Sequence, residues 1–370
     1  MFKDICNKKF FITGGGTGGH IYPAVSIINE LLKSGAKNEN IFYIGNKNNP
    51  EKKIADDNNF QFLSVEVTGM QRKFSLKFIK WVFVLFISII KALFYCIKYK
   101  PDVVFATGGY VSAPVLFAAN ILNIPYVLHD SDCIPGIVTR FFSKNAKAVN
   151  LAFVEANKYI KSNNVYNYNN PVRSVFFEIA KEEARKELNI NDEFLILIMG
   201  GSQGAKSINA AAKELIEKYK NRNDIKIILQ TGRKNYDETV KDFIIPSNTR
   251  IEPYFDNMAV PISASDLIIS RAGSISISEI LSSKNPSILI PYPYAAANHQ
   301  RINAKAIADK NAALYLEDDE LKNGKLINVI DELINSKEKY NILKNNAENL
   351  GRDFKFANEK ILNLIINAIK

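Results

Sequence analysis

Phe10-Phe11-Ile12-Thr13-Gly14-Gly15-Gly16-Thr17-Gly18-Gly19-His20 is an apolar run that stops abruptly in five glycines. The pattern predicts a first β-strand, a turn of phosphate size and a helix start. Glycine lets the backbone take positive φ and approach a ligand without a Cβ in the way, and the helix start offers unpaired N–H groups and a positive dipole end. An anion is expected over residues 16–20. Gly14, Gly16 and Gly19 also satisfy G-x-G-x-x-G, the dinucleotide formula, which calls for an acidic residue after the next strand to hold a ribose. The next predicted strand, Ile41-Phe42-Tyr43-Ile44-Gly45, instead runs into Asn46-Lys47-Asn48-Asn49. A nicotinamide cofactor is therefore not expected.

Outward from this turn, residues 21–33 carry Ile21, Val25, Ile28, Leu31 and Leu32 at helical spacing and stop at Ser34-Gly35. Strands are predicted at residues 41–44 and 62–67, followed by the loop Thr68-Gly69-Met70-Gln71-Arg72-Lys73. Two further strands break in polar or glycine turns, Val103-Val104-Phe105-Ala106 before Thr107-Gly108-Gly109-Tyr110, and Tyr126-Val127-Leu128 before His129-Asp130-Ser131-Asp132. Ligands of open parallel sheets gather at such carboxyl ends. His20, His129 and His299 are the chain's three histidines. All three follow strands at turns into helices, where a core histidine is not expected.

Asn170-Pro171-Val172-Arg173 follows a polar segment and reads as the domain boundary. The opening plan then recurs: a strand to Met199, the turn Gly200-Gly201-Ser202-Gln203-Gly204-Ala205, and an amphipathic helix over residues 207–219. Later strands end at Gln230 and at Ser270, the second leading into Arg271-Ala272-Gly273-Ser274-Ile275-Ser276-Ile277-Ser278-Glu279. Small hydroxyl residues there can cap a helix and donate to phosphate, while Glu279 could accept two adjacent hydroxyls of a ribose or serve as a capping glutamate. Residues 320–370 read as closing helices.

At 370 residues the chain is long enough for two domains, and 47% hydrophobic with 23% charged residues is ordinary globular composition. A net charge of +10 favours anionic partners, although the lysines are spread throughout. No interleaved arginine and aromatic block is present, so nucleic acid is not expected. Cys6, Cys96 and Cys133 are far apart and not in metal or disulfide spacing, which fits a reducing compartment. The first nine residues have no apolar h-region, so no secretory signal is read and a cytoplasmic protein is expected.

Residues 75–99 are unusual. Trp81-Val82-Phe83-Val84-Leu85-Phe86-Ile87-Ser88-Ile89-Ile90 is apolar all round and bounded by Lys80 and Lys91. The run is half of what spans a bilayer. Two readings remain: a buried crossover helix, or an exposed apolar face flanked by Arg72, Lys73, Lys77 and Lys80 that rests on an anionic membrane surface.

Five ordered blocks together resemble the MurG family of N-acetylglucosaminyltransferases, which convert lipid I to lipid II in peptidoglycan synthesis. They are Gly14 to Ala24, Thr107 to Pro114, Gly200 to Ala205, Ser270 to Ser274 with Glu279, and His299-Gln300-Arg301-Ile302-Asn303-Ala304. The resemblance implies an α/β GT-B fold: two Rossmann-like, doubly wound domains facing across a cleft. Residues 1–170 would form an acceptor- and membrane-associating domain, 171–354 a UDP-GlcNAc domain, and a last helix at about 355–370 would pack back on the first. It also implies a peripheral enzyme of the cytoplasmic face of the cell membrane, serving cell-wall biogenesis, cell shape and division, in company with other cell-wall synthesis proteins.

By motif, Ser202 and Ser274, Ile275, Ser276, Ile277, Ser278 and Glu279 would hold donor phosphates and ribose. Phe255 would lie near uracil, Arg173 and Gln300 would complete the donor site, and Thr17, Gly18 and Gly19 would approach it from the other domain. Gly108, Gly109 and Tyr110 fall on the acceptor side. The chain departs from the family's usual His-Glu-Gln-Asn at His129-Asp130-Ser131-Asp132, so Asp132 replaces a donor-contacting asparagine; Tyr294 replaces a histidine usual after Pro-Tyr-Pro.

Asp130-Ser131-Asp132 spells D-x-D, but no metal and no cofactor is expected, because the loop resembles one without a metal role. Sugar transfer with inversion needs a base. His20 is the expected base and Asp130 its rival, since imidazole accepts a hydroxyl proton near neutral pH and an exposed carboxylate does so poorly. For His20 the alternative is a bond that merely orients the loop backbone. Competing functions are a GT-B-related UDP-sugar epimerase and a non-catalytic membrane-bound scaffold.

Overall fold

The computed structural model describes residues 5–69, 75–201 and 203–369. Arg72, Lys73 and Ser202 therefore lie outside the described residues. The chain forms two units, Met1–Arg173 with Phe356–Lys370, and Ser174–Lys355.

In the first unit, strands β1 (Phe10–Thr13), β2 (Ile41–Gly45), β3 (Gln61–Ser64), β4 (Val103–Ala106), β5 (Tyr126–Asp130), β6 (Ala148–Leu151) and β7 (Val165–Tyr166) alternate with α1 (Gly18–Lys33), α2 (Pro50–Asp57), α3 (Leu76–Tyr99), α4 (Ser112–Ile121) and α5 (Ile137–Phe142). The sheet order is β3-β2-β1-β4-β5-β6-β7, and its pairings are parallel. β1, β2, β4, β5 and β6 are buried at every residue, which is why they read as continuous apolar runs rather than alternating ones. One sheet face packs on Ile21, Ile27, Ile28 and Leu31 of α1 and on Ile361, Leu362 and Ile365 of the last helix. The other packs on Val115, Leu116 and Ala119 of α4 and on Ala92 and Cys96 of α3.

In the second unit the order is α6 (Val175–Glu178), α7 (Lys181–Glu187), β8 (Phe194–Met199), α8 (Lys206–Tyr219), β9 (Ile225–Gln230), α9 (Tyr236–Val240), β10 (Thr249–Glu252), α10 (Ala259–Ala264), β11 (Leu267–Arg271), α11 (Ser274–Ser282), β12 (Ser287–Ile290), α12 (His299–Ala308), β13 (Ala313–Tyr315), α13 (Lys325–Asn335) and α14 (Lys337–Gly351); α15 (Ala357–Ala368) belongs to the first unit. Its sheet, β10-β9-β8-β11-β12-β13, repeats the order of the first six strands of the other. Both are doubly wound, with the order reversing between β1 and β4 and between β8 and β11.

Several details differ from the sequence reading. α1 starts at Gly18 rather than Ile21, because glycines 18 and 19 already take helical geometry. The third strand stops at Ser64 instead of reaching residue 67, with a single further ladder bond from Val65 N to Gly45 O (2.8 Å). α2 and β10 have no counterpart in that reading.

The helix over residues 75–99 departs most. α3 is one helix of 24 residues, capped by Ser75, whose hydroxyl accepts from Phe78 N. Residues Lys77–Tyr99 are long and apolar enough to cross a membrane by length and composition, contrary to the half-length estimate, since the single Lys91 does not end the apolar stretch. The buried-crossover reading fails as well. Ser88, Ala92 and Cys96 face the unit, and Trp81 Nε1, Ser88 Oγ and Tyr95 OH bond the carbonyls of Thr68, Glu66 and Ser64. Phe83 is 62% and Phe86 59% exposed, along with Ile79, Ile87, Ile90, Phe94 and Ile97. Lys91 bonds Ser64 Oγ at 3.0 Å, so it anchors the docked face.

Candidate functional site

The first glycine turn and the loop after β4 meet where the strand order of the first sheet reverses, the place where open α/β sheets bind ligands. The turn is gripped from several sides. Tyr43 OH donates to Gly14 O (2.8 Å), and Gly16 N donates to Glu51 Oε1 (3.2 Å). Thr107 Oγ1 donates to His20 O (2.6 Å), and Ser131 Oγ to Gly19 O (3.1 Å). The last bond has a local cause: Pro23 lies within α1 and has no N–H, so the carbonyl of Gly19 one turn back lacks its helical donor. Ser131 supplies one from the other side of the switch point.

Thr17 precedes α1 in extended geometry without a side-chain cap, and Thr17 and Gly18 are exposed while Gly19 is half-buried. The N–H groups at the start of α1 are thus presented outward with the helix dipole behind them. Gly108 (φ 93°) and Gly109 (φ 78°) take left-handed geometry, and a Cβ on either would come within 3.1 Å of the His20 ring. Tyr110 lies against Gly16 and accepts from Asn49 Nδ2 (3.0 Å).

His20 Nδ1 is 2.8 Å from Thr107 O. A carbonyl can only accept, so Nδ1 carries a hydrogen toward Thr107, and Nε2 is the ring nitrogen this bond leaves unengaged. The orienting bond foreseen as the alternative for His20 is present, and it occupies Nδ1 rather than Nε2.

His129 is corrected. It lies on β5, fully buried, with Asn150 Nδ2 donating to Nδ1 (2.9 Å) and Nε2 donating to Asn170 Oδ1 (3.0 Å). Burial pushes its pKa down to about 4, so the ring is neutral. Asp130 is also buried: Oδ2 accepts from Gly136 N (2.9 Å) and Oδ1 from Asp132 N (3.4 Å). Burial pushes its carboxyl up, and the Asp132 charge adds to this; a hydrogen bond from Thr139, the His20 charge and the Gly136 amide pull the other way. Asp130 thus ties the loop that follows β5. Among the described residues, no three His, Cys, Asp or Glu side chains gather as a metal site would need.

In the second unit, Gly201 and Gly204 are left-handed, and a Cβ on Gly204 would lie 1.9 Å from Thr231 O. Gly232, also left-handed, is pressed against Gly204, so the turn after β9 interlocks with that after β8. The sequence reading missed Thr231-Gly232, although a glycine after a buried strand was the available signal. Asn235 Nδ2 bonds Gln203 O (3.1 Å) across the same junction.

α11 begins after Gly273 with no side-chain cap and no acid in its first turn, and Glu279 lies further along, half-buried. Ser278 Oγ is spent on Ser274 O (2.7 Å), and the side chain of Ile277 is in the core. Ile275 and Ser276 are half-buried. Gln300 Oε1 accepts from Tyr292 N (2.9 Å), Phe255 N donates to Gln230 Oε1 (3.2 Å), and Arg173, in the first unit, sits over the Tyr22 ring at 5.2 Å. Also missed was the knot at the end of β11: Arg271 pairs with Asp318 and donates to Ser207 Oγ (2.9 Å) and Pro291 O (3.1 Å).

Residues 10–151 match the glycosyltransferase family 28 N-terminal domain, and residues 195–361 match the glycosyltransferase family 28 C-terminal domain. A relative from Carboxydothermus hydrogenoformans, named UDP-N-acetylglucosamine--N-acetylmuramyl-(pentapeptide) pyrophosphoryl-undecaprenol N-acetylglucosamine transferase, is 38% identical over 98% of this chain and 97% of its own. The chain belongs to the MurG family. A Bacillus subtilis relative of the same name is 36% identical over 93% of this chain and 95% of its own. Among solved structures, Acinetobacter baumannii MurG has a TM-score of 0.74 at 24% identity, covering 97% of this chain and 99% of that one. UDP-GlcNAc 2-epimerase from Neisseria meningitidis has 0.66 at 17% identity, covering 97% and 100%. These two likenesses show the two-unit Rossmann-like fold shared by MurG and epimerase alike, so the fold does not choose between them. Full-length identity to curated MurG family members does.

Proposed function

We propose that the protein transfers GlcNAc from UDP-GlcNAc to undecaprenyl-pyrophosphoryl-MurNAc-pentapeptide, lipid I, giving lipid II in peptidoglycan synthesis. The observation that carries this is the 38% identity over nearly the whole chain to a curated transferase of that name. In the reaction, an acceptor hydroxyl forms a bond to C1 of GlcNAc, the C1–O bond to UDP breaks, and the hydroxyl proton passes to Nε2 of His20. The first unit carries this base, and the second carries donor-binding residues: Glu279 for the ribose, the start of α11 at residues 274–276 for the phosphates, and Phe255 and Gln300; Arg173 and Asp132, which also serve the donor, belong to the first unit. The departing diphosphate charge falls to backbone amides and helix N-termini.

The protein docks peripherally on the cytoplasmic face of the cell membrane through α3. The exposed Phe83 and Phe86 beside exposed Lys77 and Lys80 support this, as does the concavity lined by Phe78, Ile79, Val82, Phe83 and Phe86. A helix bonded along one face to its own unit suits lying on a bilayer. Cell-wall synthesis proteins would be met there, in work that serves cell shape and division.

The test is UDP release from UDP-GlcNAc with and without a lipid-linked acceptor. Release that requires the acceptor supports the transferase. Formation of an epimerised UDP-sugar without acceptor would instead make the protein an epimerase, and absence of any turnover would make it a scaffold. Glu279→Ala should raise the donor KM.

A further inference from the structure

Glu51 is an acid that the motif reading of the first turn did not include. It stands in the first turn of α2, is fully buried, and reaches back 35 residues to accept Gly16 N at 3.2 Å through Oε1. Among the described residues Oε2 is buried without a hydrogen-bond partner. Two glycines make room for it: a Cβ on Gly15 would lie 2.1 Å from Oε1, and one on Gly45 would lie 2.9 Å from Glu51 Cβ. Burying a carboxylate under a backbone turn is costly, so the arrangement persists because neighbouring packing holds it.

We propose that Glu51 is a positioning residue for the transfer reaction: it holds the Gly16 amide, sets the turn there in its left-handed form (φ 88°), and so aims Thr17, Gly18, Gly19 and His20. A second consequence concerns the ligand. Because the Gly16 N–H is already taken, an anion at this turn is left with the amides from Thr17 onward, at the exposed start of α1. This inference rests on the reading of His20 as base only for what the loop aims, and the two are separable by experiment.

The test is steady-state kinetics of the full-length enzyme with UDP-GlcNAc and a lipid-linked acceptor for Glu51→Gln, Glu51→Asp and Glu51→Ala. Gln keeps the accepting oxygen at the same reach and should stay within about threefold of the native kcat. Asp keeps the carboxyl group but is one methylene short, and with Ala should lose roughly 10- to 100-fold in kcat, the scale expected of a misplaced catalytic group, with the donor KM nearly unchanged. Native kcat in the Asp and Ala variants overturns the proposal. So does a joint loss of kcat, donor affinity and melting temperature that Gln does not rescue, since that is the signature of a general structural role. A near-native kcat for His20→Ala would remove the base assignment while leaving the Glu51 result standing.

Discussion

His20 Nδ1 and the carbonyl oxygen of Thr107 are 2.8 Å apart, and Thr107 Oγ1 donates back to the carbonyl of His20 at 2.6 Å. The reciprocal pair locks the ring to the end of β4 and leaves Nε2 outside the bond.

For His20→Ala the expected outcome is a fall in kcat of roughly 10²- to 10⁴-fold, the range of a lost general base, with the donor KM little changed. Asp130→Asn should keep most of kcat, because its oxygens are engaged by the Gly136 and Asp132 amides. Steady-state kinetics on both variants decides. Turnover abolished by Asp130→Asn, with donor still bound and His20→Ala active, would transfer the role to Asp130.

Acid should destabilise the first unit through His129. Its folded pKa, pushed down to about 4, lies below the ordinary 6.5, so the unfolded chain binds the proton first. Stability is full above 6.5 and is lost as pH falls from 6.5 towards 4, by about 3 kcal/mol at roughly 1.4 kcal/mol per tenfold change. The raised Asp130 carboxyl acts in the opposite sense, favouring the folded state as pH falls through its own range. Denaturant unfolding of His129→Gln at several pH values should show a shallower loss than the native chain; an equal slope would exclude His129 as the cause.

Asp318→Ala should destabilise the second unit by about 3 kcal/mol, because Arg271, whose side chain is 11% exposed, would be left buried without its charge partner. Chemical denaturation of the variant measures this. A cost under about 0.5 kcal/mol would mean that the knot at β11 carries little energy.

Changing Phe83 and Phe86 to Ser should weaken binding to vesicles containing anionic lipid by about tenfold or more, given roughly 1.5 to 3 kcal/mol for burying one such side chain. Added salt should weaken native binding too, through the lysines. Since both rings are exposed, the melting temperature should hardly move. Unchanged vesicle binding with a lowered melting temperature would return this face to the protein interior.

The sequence alone determined the two doubly wound units and the turns at their sheet edges, because these follow from local rules: buried parallel strands are continuous apolar runs, and turns that need positive φ need glycine. It also carried the family, through five motif blocks in order. What it could not determine were relations set by packing between distant residues. Whether the apolar run of α3 faced inward or outward depended on which side of the sheet was already covered by α4 and which polar groups at Ser64, Glu66 and Thr68 awaited a partner. His129 looked like a turn residue, yet β5 extends through it and Asn150 and Asn170 close around the ring. Glu51, a helix residue without a motif, reached the first turn only because Gly15 and Gly45 left it space. Hydrogen bonds such as Glu51 to Gly16 and Ser131 to Gly19 join residues 35 and 112 positions apart, and no local pattern encodes which buried acceptor a folded chain will bring to which donor.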